Sequence, residues 1–222
     1  YYHKWHVIIA VAAVALIISF IYPIVTQVHP DYNVAFLSSY TWPEDVMSEF
    51  QEHLEQYGDD INGDGQVVVQ INTYTLGDPE KSTTDPNMFQ ASVVKFTADA
   101  SDVSSVIYIH DKDSFNYIKR SGIDGFFLNS NGTDTADSDE YIMISWEDVT
   151  GLANLEFSSE AGGEAQDDYK RLLSEMRVSV RALPERFQEK EDKQESYKAG
   201  MEFYNRIAED KKVNEKTEQS GE

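Results

Sequence analysis

The 222-residue chain reads as an α/β protein, a single three-layer domain with a mostly parallel sheet, preceded by one transmembrane helix. Three observations predict this. An uncharged apolar run, Val7 to Val25, opens the chain. Short β-branched and aromatic runs then alternate with stretches of helical periodicity over about ninety residues, the pattern of a parallel sheet covered by helices. The length suffices for one well-buried domain and hardly for two.

Charge and composition exclude several function classes. The formal charge is −22, with 18 Lys and Arg against 40 Asp and Glu, so a nucleic-acid backbone would be repelled. There is no cysteine, which removes disulfide scaffolds, thiolate metal sites and cysteine nucleophiles together.

At about 1.5 Å per residue the Val7–Val25 run spans roughly 28 Å, close to the hydrocarbon thickness of a bilayer. Trp5, His6 and Tyr22 suit the interfaces. A cleaved signal peptide is the competing reading, but the run is long for one and ends at Tyr22-Pro23-Ile24 without small residues in an A-x-A pattern. Lys4 precedes the span and every acid follows it, which places the N-terminus inside and the rest outside. The expected organisation is a cytoplasmic stub (1–6), a membrane helix (7–26), an extracytoplasmic α/β domain (31–209) and a disordered tail (210–222). The expected location is the cell membrane, single-pass.

Within the outer domain, Tyr32 to Ser39 is a short apolar run, read as the first strand. Thr41-Trp42-Pro43-Glu44-Asp45 follows as a helix entry, with a cap candidate, Pro near the first position and acids in the first turn. Val46, Met47, Phe50, Leu54 and Tyr57 share one helical face, and Gly58 can close the helix in a left-handed conformation. Val67–Tyr74 is the second strand, Met88–Phe96 a helix, Val103–His110 the third strand and Asp113–Arg120 a helix. Phe126–Leu128 and Tyr141–Trp146 read as further strands around an acidic loop, Asn131–Glu140. Alternation over 175–182 suggests a late strand with one wet face, and 192–209 a final helix.

The order of these pieces resembles the first lobe of extracellular solute-binding proteins of the type 2 periplasmic-binding fold. The resemblance rests on the Ser38-to-Trp42 turn after the first strand, the helix through Phe50 and the Val67–Tyr74 strand. The helix around Val94-Lys95-Phe96 and the VIYIHD stretch, Val106 to Asp111, complete it. The N-terminal Tyr-Tyr-His-Lys-Trp-His and the span after it look like the anchors of surface proteins of Gram-positive gut bacteria. The resemblance implies a non-catalytic domain that binds a small polar ligand or a surface protein partner. Solute-binding proteins close two lobes on a ligand, and the outer residues here are too few for two.

Ligands of open parallel sheets bind at the carboxyl ends of strands, and helix N-termini favour anions. Ser38, Ser39, Tyr40, Thr41 and Trp42 lie after the first strand, His110 and Asp111 at the end of the third, and Trp146 after a later one. These are the candidate ligand-binding residues. The competing reading is helix capping with Trp42 packed as a staple. Asp60, Asn62, Asp64 and Gln66 match the D-x-N-x-D-G core of a calcium loop, but the twelfth position, which should be a bidentate Glu, is Ile71. A Gly- and Asx-rich turn explains these residues equally well, and a structural or adhesive surface module with a calcium-stabilised loop is the alternative function. Asp134, Asp137, Asp139 and Glu140 crowd a second loop, where a solvated surface competes with a cation site. His110-Asp111 lacks the further ligands a metal hydrolase needs, no G-x-S-x-G elbow accompanies the serines, and no phosphate loop or G-x-G-x-x-G is present, so no catalytic residue is assigned.

Overall fold

The computed structural model describes residues 29–77, 85–122, 125–158 and 160–213, with Ile9, Leu16 and Ser19. Apart from these three, the expected membrane span lies outside the described residues, as does most of the expected tail. Among the described residues no helix is long and apolar enough to cross a membrane.

The described chain is mixed α/β with one five-stranded sheet. β1 (Tyr32–Ser38), β2 (Val69–Thr75), β3 (Ile107–His110), β4 (Ile144–Ser145) and β5 (Arg177–Val180) lie in the order β2-β1-β3-β5-β4. β1 pairs parallel with β2 (Tyr32 opposite Val69) and with β3 (Val34 opposite Ile107). β5 runs antiparallel to both neighbours, with Ile107 opposite Val180 and Ile144 opposite Val178. The expected α/β sheet is thus present in mixed form, with two parallel and two antiparallel pairings. Four strands share a direction and the late one opposes them, because it enters the sheet from the far end after a long excursion.

The helices are α1 (Glu44–Glu55), α2 (Pro86–Asp102), α3 (Lys112–Arg120), α4 (Asp139–Ile142), α5 (Thr150–Ala153), α6 (Gln166–Ser174) and α7 (Glu191–Ala208). Successive β1 side chains point to opposite faces, and each face has its own core. On one, Tyr32, Val34 and Phe36 meet Phe50 and Leu54 of α1, Phe203 and Ile207 of α7, and Trp146 and Leu173. On the other, Ala35 and Leu37 meet Phe115 and Ile118 of α3 and Phe127, with Phe89, Val93 and Phe96 of α2 packed alongside. Each such side chain removed from water contributes about 1.5–3 kcal/mol, which is why two unconnected helix sets can hold the sheet between them.

Several expected elements change form. Tyr141–Trp146 is not one strand: α4 ends at Ile142, only Ile144–Ser145 pairs, and Trp146–Asp148 is a 3-10 turn. Asp139 and Glu140 in a first turn favour a helix start there, against the β-favouring apolar run. Phe127 and Leu128 make single bridges to Arg181 and Thr135 instead of a ladder. Helix α2 runs past the expected Phe96 to Asp102, and Val103 ends it in the left-handed region (φ 54°) rather than opening a strand. At α1 the N-cap is Pro43, with no side-chain cap bond, so Thr41 does not cap. Gly58 has no left-handed φ. It is required for closeness instead, since a Cβ there would meet Val67 and Tyr32 at 2.7 and 2.9 Å.

The pole at which β1 begins is tied by polar groups. Asp31 accepts from the backbone N–H of Ile61 and Val68 at 2.9 Å and of Asn62 at 3.1 Å. Tyr57 donates to Asp210 at 2.6 Å, and Arg206 donates to the Tyr57 carbonyl at 3.1 Å and pairs with Asp59.

Gly200 in α7 lies against Val106: a Cβ there would be 2.6 Å from Cγ2 and 2.9 Å from Cβ of that stiff side chain. In an open helix Gly→Ala gains about 1 kcal/mol. Here overpacking reverses the sign, and Gly200→Ala is expected to lower stability by about 1–2 kcal/mol, read as a fall in the urea midpoint.

Candidate functional site

The chain leaves β1 for β2 on one side and returns across it to β3 on the other. The helices that follow β1 and β3, α1 and α3, lie on opposite faces. Between the carboxyl ends of β1 and β3 the connections therefore diverge, which leaves a crevice in the place where open α/β sheets bind ligands.

Asp111 closes that crevice from below. It is the N-cap of α3, and its Oδ1 accepts from the Ser114 N–H at 2.7 Å. Its Oδ2 accepts from the Ser39 N–H at 2.6 Å, the Ser39 hydroxyl at 2.7 Å and the Ser38 hydroxyl at 3.3 Å. The Asp111 N–H donates to the Leu37 carbonyl at 3.2 Å, extending the β1–β3 ladder by one bond. The Tyr40 N–H donates to the Ser38 Oγ at 3.1 Å, so the turn after β1 is held at both serines. The end of β2 joins them: Leu76 donates to the Ser38 carbonyl at 3.0 Å, and the Ser114 hydroxyl donates to the Leu76 carbonyl.

Above this floor is an open cavity of about 150 Å³. Ser38, Ser39, Tyr40 and Trp42 line it from the β1 end, and Asp111, Lys112 and Asp113 from the start of α3. Leu172 of α6, with Glu175 and Met176 after it, forms the opposite wall. Trp42 is wedged edge-on against Phe36 (5.3 Å between ring centres) and tilted against Tyr169 (5.5 Å). Its indole N–H is buried with no acceptor among the described residues. Tyr40 is 57% exposed.

Five of the eight expected ligand-binding residues thus come together: Ser38, Ser39, Tyr40, Trp42 and Asp111. Thr41 is exposed and is not part of the lining. His110 is fully buried on the sheet face shared with Tyr108, stacked on Phe115 at 4.9 Å, with Nε2 2.7 Å from the Ser179 hydroxyl. Its Nδ1 has no partner among the described residues, and burial pushes its pKa down to about 4. Trp146 packs on Phe50 at 5.6 Å and lines a different hollow, of about 210 Å³, with Phe157 and with Lys170 of α6. Lys112, Asp113, Leu172, Glu175 and Met176 were missed. The first two are legible only once Asp111 is known to cap a helix, and the last three carry no local signal, being far away in sequence.

In the Asp60–Gln66 loop the side chains turn onto their own backbone. Asp60 accepts from the N–H groups of Gly63 (2.7 Å), Asp64 (3.2 Å) and Gly65 (2.8 Å). Asn62 accepts from Asp64, and Asp64 from Gln66, each at 2.9 Å. Gly63 and Gly65 take the positive φ values (76° and 89°) such a turn needs. Among the described residues no group of three or more His, Cys, Asp or Glu is placed to hold a metal ion. In the second acidic loop Asp139 pairs with Lys119.

No family model, curated protein or solved structure matches the chain.

Asp111→Ala removes a helix cap and the acceptor for three further donors. An expected loss of about 2–4 kcal/mol should appear in urea unfolding, with Asp111→Asn retaining part of it. His110 generates a pH dependence. Because its folded pKa is depressed, the unfolded chain binds its proton first, so His110 costs no stability above about pH 6.5. Between there and about pH 4 the fold should lose up to about 3 kcal/mol through this group. His53, also lowered by burial, acts in the same direction. Urea midpoints measured from pH 7.5 to 4.5 should slope less steeply in His110→Gln than in the parent.

Proposed function

We propose that this chain is a membrane-anchored, extracytoplasmic domain that binds a small polar ligand at the carboxyl ends of β1 and β3 and does no chemistry on it. The cavity at the divergence of β1 and β3 carries this reading. It has a hydrogen-bonded floor, an aromatic wall and polar groups around one small volume, the features of a largely pre-formed ligand site.

The arrangement of polar groups favours binding over catalysis. The Ser38 and Ser39 hydroxyls donate to Asp111, and among the described residues no histidine lines the cavity to activate them. Asp111 has both oxygens engaged. The three-layer body, with helices on both sheet faces and the pocket at the strand ends, is what a single solute-binding lobe would offer. The anchor reading rests on the uncharged Val7–Val25 run. Within that run, the apolar side chains of Ile9 and Leu16 are 62% and 60% exposed.

Thermal unfolding of the full 222-residue chain in mild detergent, screened against small polar metabolites, tests the proposal. A true ligand at about 100 times its Kd adds roughly 2.7 kcal/mol of stability and raises the midpoint. Tyr40→Ala should weaken that ligand at least tenfold without lowering the unliganded midpoint, because Tyr40 is mostly exposed. A screen with no shift, or shifts indifferent to Tyr40→Ala, would overturn the reading.

A further inference from the structure

We propose that the guest of the β1–β3 cavity is a small organic ammonium ion, an inference that rests on the ligand-binding reading above and gives it a chemical class. Two aromatic rings, Trp42 and Tyr40, stand on one side of the cavity, and three carboxylates, Asp111, Asp113 and Glu175, stand around it. An ammonium or methylated ammonium group suits both. Aromatic faces attract it through the ring quadrupole, and carboxylates attract it by charge.

The N-terminus of α3 would ordinarily recruit an anion. Here it is already satisfied, because the Asp111 carboxylate caps it and Asp113 occupies its first turn. An added anion would meet three negative groups and be repelled by each. Two cations are close. Lys112 is exposed, and Arg171 pairs with Glu175 at 3.3 Å with both side chains more than half exposed. Such a surface pair contributes little and can yield to a guest.

An organic cation fits better than a metal ion. Asp111, Asp113 and Glu175 share the cavity, yet they do not converge into a group that could hold a metal. The volume of about 150 Å³ is also small beside the roughly 300 Å³ at which drug-sized sites begin, which matches a guest of a few heavy atoms. A formal charge of −22 draws cations toward the domain from a distance.

Isothermal titration of the full chain in detergent would use choline, tetramethylammonium and methylammonium as probes. The neutral choline isostere 3,3-dimethyl-1-butanol, with acetate and inorganic phosphate, supplies the comparison. At least one ammonium probe should bind saturably, with the neutral isostere at least tenfold weaker and affinity falling as salt rises. Tyr40→Leu and Asp113→Asn, both at exposed positions, should each weaken it about three- to tenfold. Equal binding of choline and its neutral isostere, or tighter binding of acetate or phosphate, would overturn the ammonium assignment and leave the cavity a ligand site. A screening hit that occupies the cavity while every ammonium probe fails would do the same. Failure of every probe and of the metabolite screen alike would remove the site itself.

Discussion

One carboxylate governs how the two central strands end. Parallel neighbours such as β1 and β3 have no tight turn between them, so nothing in the ladder itself dictates how the chain departs from their carboxyl ends. Asp111 supplies that dictation by accepting from Ser38 and Ser39 on one oxygen and from Ser114 on the other. A charged acceptor strengthens each bond, and most of the donors are shielded from water. The direction of the β1 turn and the start of α3 are thereby set by a single group. The position of the Trp42 ring relative to the cavity follows from the same group.

The reversal of β5 shapes everything after β3. By running antiparallel between β3 and β4, it carries Arg177 and Ser179 onto the face of Tyr108 and His110. That neighbourhood explains how a histidine can be fully buried at the end of β3. Ser179 gives the ring one polar partner, and Phe115 covers its plane. The same reversal brings α6, which immediately precedes β5, to the carboxyl edge of β1, where Leu172 and Met176 complete the cavity wall.

The first half of the fold was legible because each element there carries a complete local signature. Helix α1 repeats Val46, Phe50 and Leu54 on one face, and β1 is apolar on both faces because both are covered. Strand direction was not legible: the alternation of Met176, Val178 and Val180 reads the same in either sense. Tyr141–Trp146 misled because an apolar run says nothing of length, and the acids before it start a helix turn that consumes half of it. For the site, the rule that ligands gather at strand ends points to Ser38, Ser39, Tyr40, Trp42 and Asp111, which line the cavity. It failed at His110, since the last residue of a strand still obeys the strand's alternation and points into the core. It failed at Trp146 because β4 lies two strands from the crevice. Helix α6 was unread, as Leu172 and Leu173 are too few to mark a face among its charged neighbours.

Strand β1 has seven residues, so about 20 Å separates its first from its last. Tyr32, with Asp31 fastened over it, sits at one end, and Ser38 at the other. The end at which the chain enters the sheet is therefore separated by the whole length of β1 from the end that opens beside Trp42. A contact made at the Asp31 pole thus leaves the rings and carboxylates at the opposite pole uncovered.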